Sequence, residues 1–302
     1  MKVLIVGLGS IAQKHISAIR ELDSGIELYA FRRSRLNDSV ENINNIYSLE
    51  DNSVSFDFAI VSNPTANHAD TIRQLKILRV PLFIEKPLFE RLGYLDLIRE
   101  INREKIETYV ACNLRFLDSL KFLKQFLNER IINEVNVYCG SFLPDWRPNI
   151  DFRSVYSANK EQGGGVHIDL IHEVDYLVWL FGFPLEDRKT FLSNSSLNIS
   201  AYDYANYLFI YEKFAANVIL NYYRRDAKRS IEVICADDTI LVDLLKNSVS
   251  LNGKIVFDSP QLIRDTYIEQ MRFFIDKVKN GNNIDFNNIN EAYKILKLCL
   301  ED

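Results

Sequence analysis

The sequence predicts an α/β protein in two parts, a parallel sheet covered by helices and then a mostly antiparallel sheet. Three observations predict it. The first third alternates short apolar runs with helical segments. The middle of the chain carries strand-like runs in close succession. The length, 302 residues, suits two domains better than one compact core.

The elements follow in order. Lys2–Val6 reads as a strand, Ser10–Leu22 as a helix and Ile26–Phe31 as a second strand. Phe58–Val61 is an apolar strand, Ala66–Leu78 a helix, Leu82–Ile84 a strand, Leu92–Arg103 a helix and Thr108–Cys112 a strand. Short strands apolar on both faces and separated by helices belong to a parallel sheet covered on both sides. After Phe116 the pattern changes. A helix near Ser119–Glu129 leads into strands at Glu134–Ser141, Ala205–Tyr211, Ala216–Tyr222, Ser230–Cys235, Thr239–Asp243, Ser248–Leu251 and Lys254–Phe257. Asn252-Gly253 joins the last two as a two-residue hairpin. Helices close the chain at Thr266–Lys279 and Asn290–Leu300. The expected division is therefore 1–115 and 116–302.

Composition narrows the function. Net charge is −5 with no basic tract, so the sequence does not suit nucleic acid. No apolar run is long enough to span a bilayer. The first residues form a strand rather than a secretion signal, because the apolar run is short and no small-residue cleavage site follows. The four cysteines lie far apart, without metal or redox spacing, and read as buried thiols; no metal is expected. A cytoplasmic enzyme is the expected class.

Gly7-Leu8-Gly9-Ser10-Ile11-Ala12 follows the first strand and opens a helix. The first glycine allows a tight turn and the second lets the backbone approach a pyrophosphate. Ala12 keeps helix and strand close, and the phosphate rests on the helix N-terminus. Gly7, Gly9, Ser10, Ile11 and Ala12 are therefore candidate cofactor contacts. A tight turn without ligand would have the same glycines; the position directly after Val3-Leu4-Ile5-Val6 favours a dinucleotide. The second strand ends in Arg32-Arg33-Ser34 and lacks the acidic residue that would bind the ribose of NAD. Arg32, Arg33 and Ser34 suit a 2′-phosphate, which favours NADP over NAD. The other reading of these residues is a solvated basic loop.

Lys86 stands in Phe83-Ile84-Glu85-Lys86-Pro87, just past a strand. Ligands of open α/β sheets bind outside the carboxyl ends of the strands. The neighbouring strand ends carry Asn63, Pro64 and His68 on one side and Asn113 on the other, the polar set that a polar-substrate site needs. In the second domain Gly163-Gly164-Gly165 precedes a helix expected to run to about Phe181, with Gly182 as its cap. Asp169, His172 and Asp175 would share one face of it. A histidine beside a carboxylate passes protons near neutral pH. A satisfied core histidine fits this segment equally well.

The ordered set, with GLGSIA, NPTANH, EKP, NLRF and GGGVHIDLIHEVD, resembles the glucose–fructose oxidoreductase / inositol dehydrogenase family (Gfo/Idh/MocA) over nearly the whole chain. The resemblance implies a Rossmann domain followed by an α/β domain with an open, mostly antiparallel sheet. It implies that Lys86 approaches nicotinamide and substrate, that Glu85 contacts the nicotinamide ribose and that the Lys86–Pro87 bond is cis. It implies catalytic roles for Asp169 and His172, and nicotinamide packing by Trp146 and Arg147. The implied reaction is hydride transfer between NAD or NADP and a sugar, sugar nucleotide or cyclitol, with His172 or Lys86 taking the hydroxyl proton. The implied assembly is a homodimer or homotetramer through the second sheet. Two alternative readings keep the same fold: a catalytically silent dinucleotide-sensing regulatory protein, and an NAD-dependent glycosidase. Two departures stand out. Asp169 and His172 are three residues apart where many members have four, and Leu117-Asp118 follows Phe116 where many members have a proline nearby.

Overall fold

A computed structural model describes residues 1–32, 40–50, 53–128 and 130–300. Two compact units divide the chain. The first opens with β1 (Lys2–Val6), β2 (Glu27–Phe31), β3 (Asn44–Ile46), β4 (Phe58–Val61), β5 (Leu82–Glu85) and β6 (Thr108–Ala111), all parallel, in the order β3-β2-β1-β4-β5-β6. Its helices are α1 (Ser10–Leu22), α2 (His68–Leu75) and α3 (Leu95–Arg103). β4, β5 and β6 are buried along their whole length, as a sheet covered on both faces requires. β3 escapes sequence reading because Asn44-Asn45-Ile46 carries no strand signal.

The second unit begins with α4 (Asp118–Phe126) and β7 (Ile132–Phe142), followed by α5 (Val166–Asp169) and α6 (His172–Phe181). It continues with β8 (Glu186–Leu192), β9 (Tyr204–Ile210), β10 (Ala215–Asn221), β11 (Tyr223–Cys235), β12 (Thr239–Asp243), β13 (Ser248–Leu251) and β14 (Lys254–Asp258). The sheet order is β14-β13-β12-β11-β7-β10-β9-β8, and only the β7–β10 pair is parallel. Burial alternates strictly along β9, so one face is core and the other is half-exposed. α4, α5 and α6 pack on this sheet. β8 was not expected, because Glu186-Asp187-Arg188-Lys189 is charged; as an edge strand it tolerates that. The Asn252-Gly253 hairpin forms as expected, with φ of 48° and 81°.

The last helices, α7 (Thr266–Lys279) and α8 (Ile289–Cys299), depart from the expected division. The first unit comprises Met1–Asn113 and Tyr267–Leu296, and the second Leu114–Thr266 and Lys297–Asp302. Assigning all of 116–302 to one domain is corrected by the packing. Phe274 of α7 meets Phe58, Phe83 and Tyr109 at ring separations of 5.1, 5.3 and 5.9 Å. The sheet edge at β6 is also closed by the returning chain. Val110 N–H donates to the Asn287 carbonyl at 2.9 Å, and Asn287 Nδ2 donates to the Val110 carbonyl at 2.8 Å. Aromatic rings on β4–β6 need a cover and β6 needs a partner; α7 and Asn287 supply both. Among the described residues, all four cysteines are free and buried, no helix is long and apolar enough to cross a membrane, and no metal-binding cluster is present.

Candidate active site

In the first unit the turn after β1 is set by two glycines with different reasons. Gly7 has φ +95°, and a Cβ there would stand 2.5 Å from Asn63 N. The turns after β1 and β4 approach too closely for any side chain. A Cβ on Gly9 would meet nothing within 4 Å. Gly9 caps α1, which has no side-chain cap and no acidic residue in its first turn. The first-turn N–H groups of Ser10, Ile11 and Ala12 thus keep their preference for an anion. Ser62 Oγ donates to the Gly7 carbonyl at 3.0 Å and holds the turn.

Two residues at the β4 end are turned to structural use. Asn63 Nδ2 donates to Thr71 Oγ1 at 2.7 Å. His68 is 1% exposed, and its ring nitrogens lie 3.1 Å from the Leu88 carbonyl and 3.0 Å from that of Asn63. It straps the β4 turn to the segment after Pro87. Burial holds its pKa below the usual imidazole value, against the pull of the two carbonyls. Pro64 opens the short turn before α2. Lys86 follows β5, and the Lys86–Pro87 peptide is cis. Glu85 is buried, with Oε1 2.5 Å from His15 Nε2 and Oε2 accepting from Lys86 N–H at 3.1 Å. Asn113 is buried at the start of the turn that follows β6. Arg32 leaves β2 with its N–H on the Ile46 carbonyl; Arg33 and Ser34 lie outside the described residues.

The second unit gathers a different set. Asp169 accepts from the hydroxyl of Tyr156 on one oxygen and from that of Tyr222, at 2.5 Å, on the other. Trp146 stands edge-on to Tyr222 at 5.3 Å and donates Nε1–H to Ser141 Oγ at 2.9 Å. Arg147 acts electrostatically on Tyr156. Burial first, then the Asp169 carboxylate, pushes both tyrosine hydroxyls well above their usual pKa. Asp169 is almost fully buried, whereas Tyr156 is 41% exposed and is the outward member of the cluster. The glycine triplet serves this loop, since a Cβ on Gly164 would fall 1.9 Å from the Tyr156 carbonyl oxygen.

The single helix expected after the triplet is broken. α5 ends at Asp169, Leu170 takes φ −99° and ψ 33°, and α6 starts at His172. The shared helical face of Asp169, His172 and Asp175 is therefore lost. Asp175 belongs to a buried bidentate pair with Arg115, at 2.9 Å from Nε and 2.8 Å from Nη2. Glu173 pairs likewise with Arg229. These two pairs anchor α6 to its surroundings, while Asp169 is left to the tyrosines. His172, half-buried, opens α6.

Residues 1–111 match the model of the oxidoreductase family with an NAD-binding Rossmann fold, GFO_IDH_MocA. Residues 1–111 belong to the NAD-binding Rossmann part of the Gfo/Idh/MocA oxidoreductase family. The glycine loop of these residues fits the NAD that this family's Rossmann fold binds. The room over Gly9 and the uncapped start of α1 are what a pyrophosphate needs. A relative, the myo-inositol 2-dehydrogenase of Thermotoga maritima, is 24% identical over 307 residues, spanning 93% of this chain and 89% of its own. An oxidoreductase structure from Thermotoga maritima superposes with a TM-score of 0.83 at 19% identity, covering 99% of this chain and 94% of that one. The WlbA dehydrogenase of Bordetella pertussis, in complex with NADH and UDP-GlcNAcA, does so with a TM-score of 0.77 at 17% identity, covering 99% and 93%. At these identities the two structures establish the fold alone.

Sequence reading missed His15 and Tyr222. His15 lies on the buried stripe of α1 with Ala12, Ala18 and Ile19, and a polar ring on an apolar stripe was the available signal. Tyr222 reaches Asp169 from between β10 and β11, 53 residues away, where no local pattern marks it.

Proposed function

We propose that this protein catalyses reversible hydride transfer between a nicotinamide dinucleotide and a carbinol carbon of a sugar, sugar nucleotide or cyclitol. The observation that carries the reading is the pairing, within one parallel sheet, of the Gly7–Gly9 turn after β1 with Lys86 after β5. Both are at carboxyl ends of strands, where such sheets bind ligands. The relatives support the substrate class: one is a myo-inositol dehydrogenase and another was solved with a UDP-sugar. The lack of an acidic residue after β2, with Arg32-Arg33-Ser34 in its place, favours NADP over NAD.

When bound, the cofactor supplies the hydride chemistry. The first-turn N–H groups of α1 hold its pyrophosphate, and Glu85 and Asn113 serve its nicotinamide end. Either His172 takes the hydroxyl proton while the Lys86 ammonium stabilises the developing alkoxide, or Lys86 takes that proton as the neutral amine. On the second unit Tyr156 donates its own proton to Asp169, so its oxygen remains a hydrogen-bond acceptor for a substrate hydroxyl. Trp146 and Arg147 flank this cluster. The half-exposed face of the second sheet, with Leu192, Leu241 and Ile255 on it, suits a homodimer or homotetramer.

The test is a fluorescence titration with NADPH and NADH, followed by a turnover screen of cyclitols, sugars and nucleotide sugars with the preferred cofactor. Saturable binding is expected, with turnover falling by about 10²–10⁴ in Lys86→Ala and in His172→Ala while the cofactor still binds. Binding of neither cofactor would overturn the reading. Equal affinity for both, unchanged by Arg32→Ala, would remove the 2′-phosphate assignment alone.

A further inference from the structure

The first unit contains a buried pair that the glycine loop and Lys86 do not account for. His15 of α1 is fully buried, and its Nε2 lies 2.5 Å from Glu85 Oε1 at the end of β5. The ring stands edge-on to Phe83 at 4.8 Å and is 6.0 Å from Tyr267. Its Nδ1 has no hydrogen-bond partner among the described residues. A proton on Nδ1 would be a buried donor without an acceptor, which is disfavoured. Hydrogen-bond bookkeeping therefore assigns the proton to Nε2, which donates to an ionised Glu85. The pair carries one negative charge inside aromatic walls.

Each end of this pair lies in the dinucleotide machinery. α1 is the helix whose N-terminus faces the pyrophosphate, and His15 sits one turn into it. Glu85 directly precedes Lys86, and its second oxygen holds the Lys86 N–H. We propose that His15 is a positioning residue for the dinucleotide that acts through Glu85. It fixes the carboxylate in one rotamer at the carboxyl end of β5, ready to accept from a ribose hydroxyl. The proposal rests on the dinucleotide reading of this unit. Carboxylates held by a charge-assisted hydrogen bond lose orientation when the donor is removed, and the ligand feels that loss.

The experiment is an equilibrium titration, with whichever of NADH and NADPH the wild-type chain binds, in a cycle of His15→Leu, His15→Gln, Glu85→Gln and the His15→Leu/Glu85→Gln double variant. His15→Leu is expected to bind about 10- to 100-fold more weakly, the range for a lost hydrogen bond to a charged group. His15→Gln, which retains a donor, stays within about 3-fold of wild type. The double variant binds no more weakly than Glu85→Gln alone, because His15 has nothing left to act through. Wild-type affinity in His15→Leu, or losses that multiply in the double variant, would overturn the proposal while leaving the cofactor assignment intact. If His15→Leu fails to fold, His15→Gln and the double variant, which buries no charge, decide it: His15→Gln as weak as Glu85→Gln overturns the proposal. A wild-type chain that binds neither cofactor removes the dinucleotide reading and this proposal together.

Discussion

Replacing the two loop glycines one at a time should separate folding from binding. Gly7→Ala places a methyl group 2.5 Å from Asn63 N and 2.6 Å from Asn63 Cα, both backbone atoms, at φ +95°. A side chain in that region of φ costs about 1–3 kcal/mol, and the overlap adds about 1–3 kcal/mol of overpacking. The first unit should therefore lose about 2–6 kcal/mol, a large share of the 5–15 kcal/mol that typically holds a domain. Gly9→Ala meets nothing within 4 Å and keeps an ordinary φ of −72°. Its stability should fall by about 1 kcal/mol or less, the scale of a changed N-cap. Its methyl group stands instead where the pyrophosphate must approach, so NADH or NADPH should bind at least about 10-fold more weakly. Calorimetry is the assay for folding, because Trp146 and Trp179 both lie in the second unit and the first has no tryptophan of its own. At about 2–4 °C per kcal/mol, the Gly7→Ala transition should drop by at least about 4 °C. A Gly7→Ala chain that melts with the wild type, or a Gly9→Ala chain that binds cofactor as well as the wild type, would refute the assignment of roles.

Three further outcomes are expected. Arg115→Ala strands Asp175 without its buried partner and should destabilise the second unit by about 3–5 kcal/mol in urea unfolding, whereas Arg115→Met with Asp175→Leu should recover most of it. Because burial lowers the His68 pKa, the unfolded chain takes up the proton first on acidification; stability should be full above about pH 6.5 and decline below it by at most about 1.4 kcal/mol per pH unit from this group. Unfolding measured against pH in His68→Gln should show a flatter acid limb, and an unchanged limb would move the effect to other groups. Tyr156→Phe removes the hydroxyl that donates to Asp169 and would accept from substrate, and should weaken substrate binding or turnover by about 2- to 15-fold, the range for one neutral hydrogen bond, with cofactor affinity unchanged, as stopped-flow and binding titrations would report.

The parallel sheet was legible because its strands are apolar on both faces and its helices carry a helical period, so local pattern and final burial agree. β8 and the return of α7 and α8 were not. An edge strand faces water, so Glu186–Lys189 carries no apolar signal. Nothing in Thr266–Lys279 states which sheet its apolar stripe will cover; that choice depends on Phe58, Phe83 and Tyr109, far away in sequence. The same contrast holds at the site. Gly7, Gly9 and Lys86 are marked by their neighbours in the chain. The expected face of Asp169, His172 and Asp175 failed because a helical projection assumes an unbroken helix, and Leu170 ends it. The partners that decided the outcome, Tyr222 for Asp169 and Arg115 for Asp175, come from other elements and leave no local trace.

The divided make-up of the first unit has a consequence for synthesis. Translation delivers Met1–Asn113 long before Tyr267–Leu296, with the whole of Leu114–Thr266 in between. At the roughly 5–20 residues per second of a working ribosome, that interval is about 8–30 s. During it the aromatic rows on β4, β5 and β6 have no Phe274 against them, and the β6 edge has no Asn287. Most of the second unit, Leu114–Thr266, is made in this interval, and its last segment, Lys297–Asp302, follows only after the first unit is complete. A nascent chain with a bare apolar sheet and an open strand edge is what trigger-type chaperones bind, and messages truncated before the codon for Tyr267 should yield aggregated rather than soluble product.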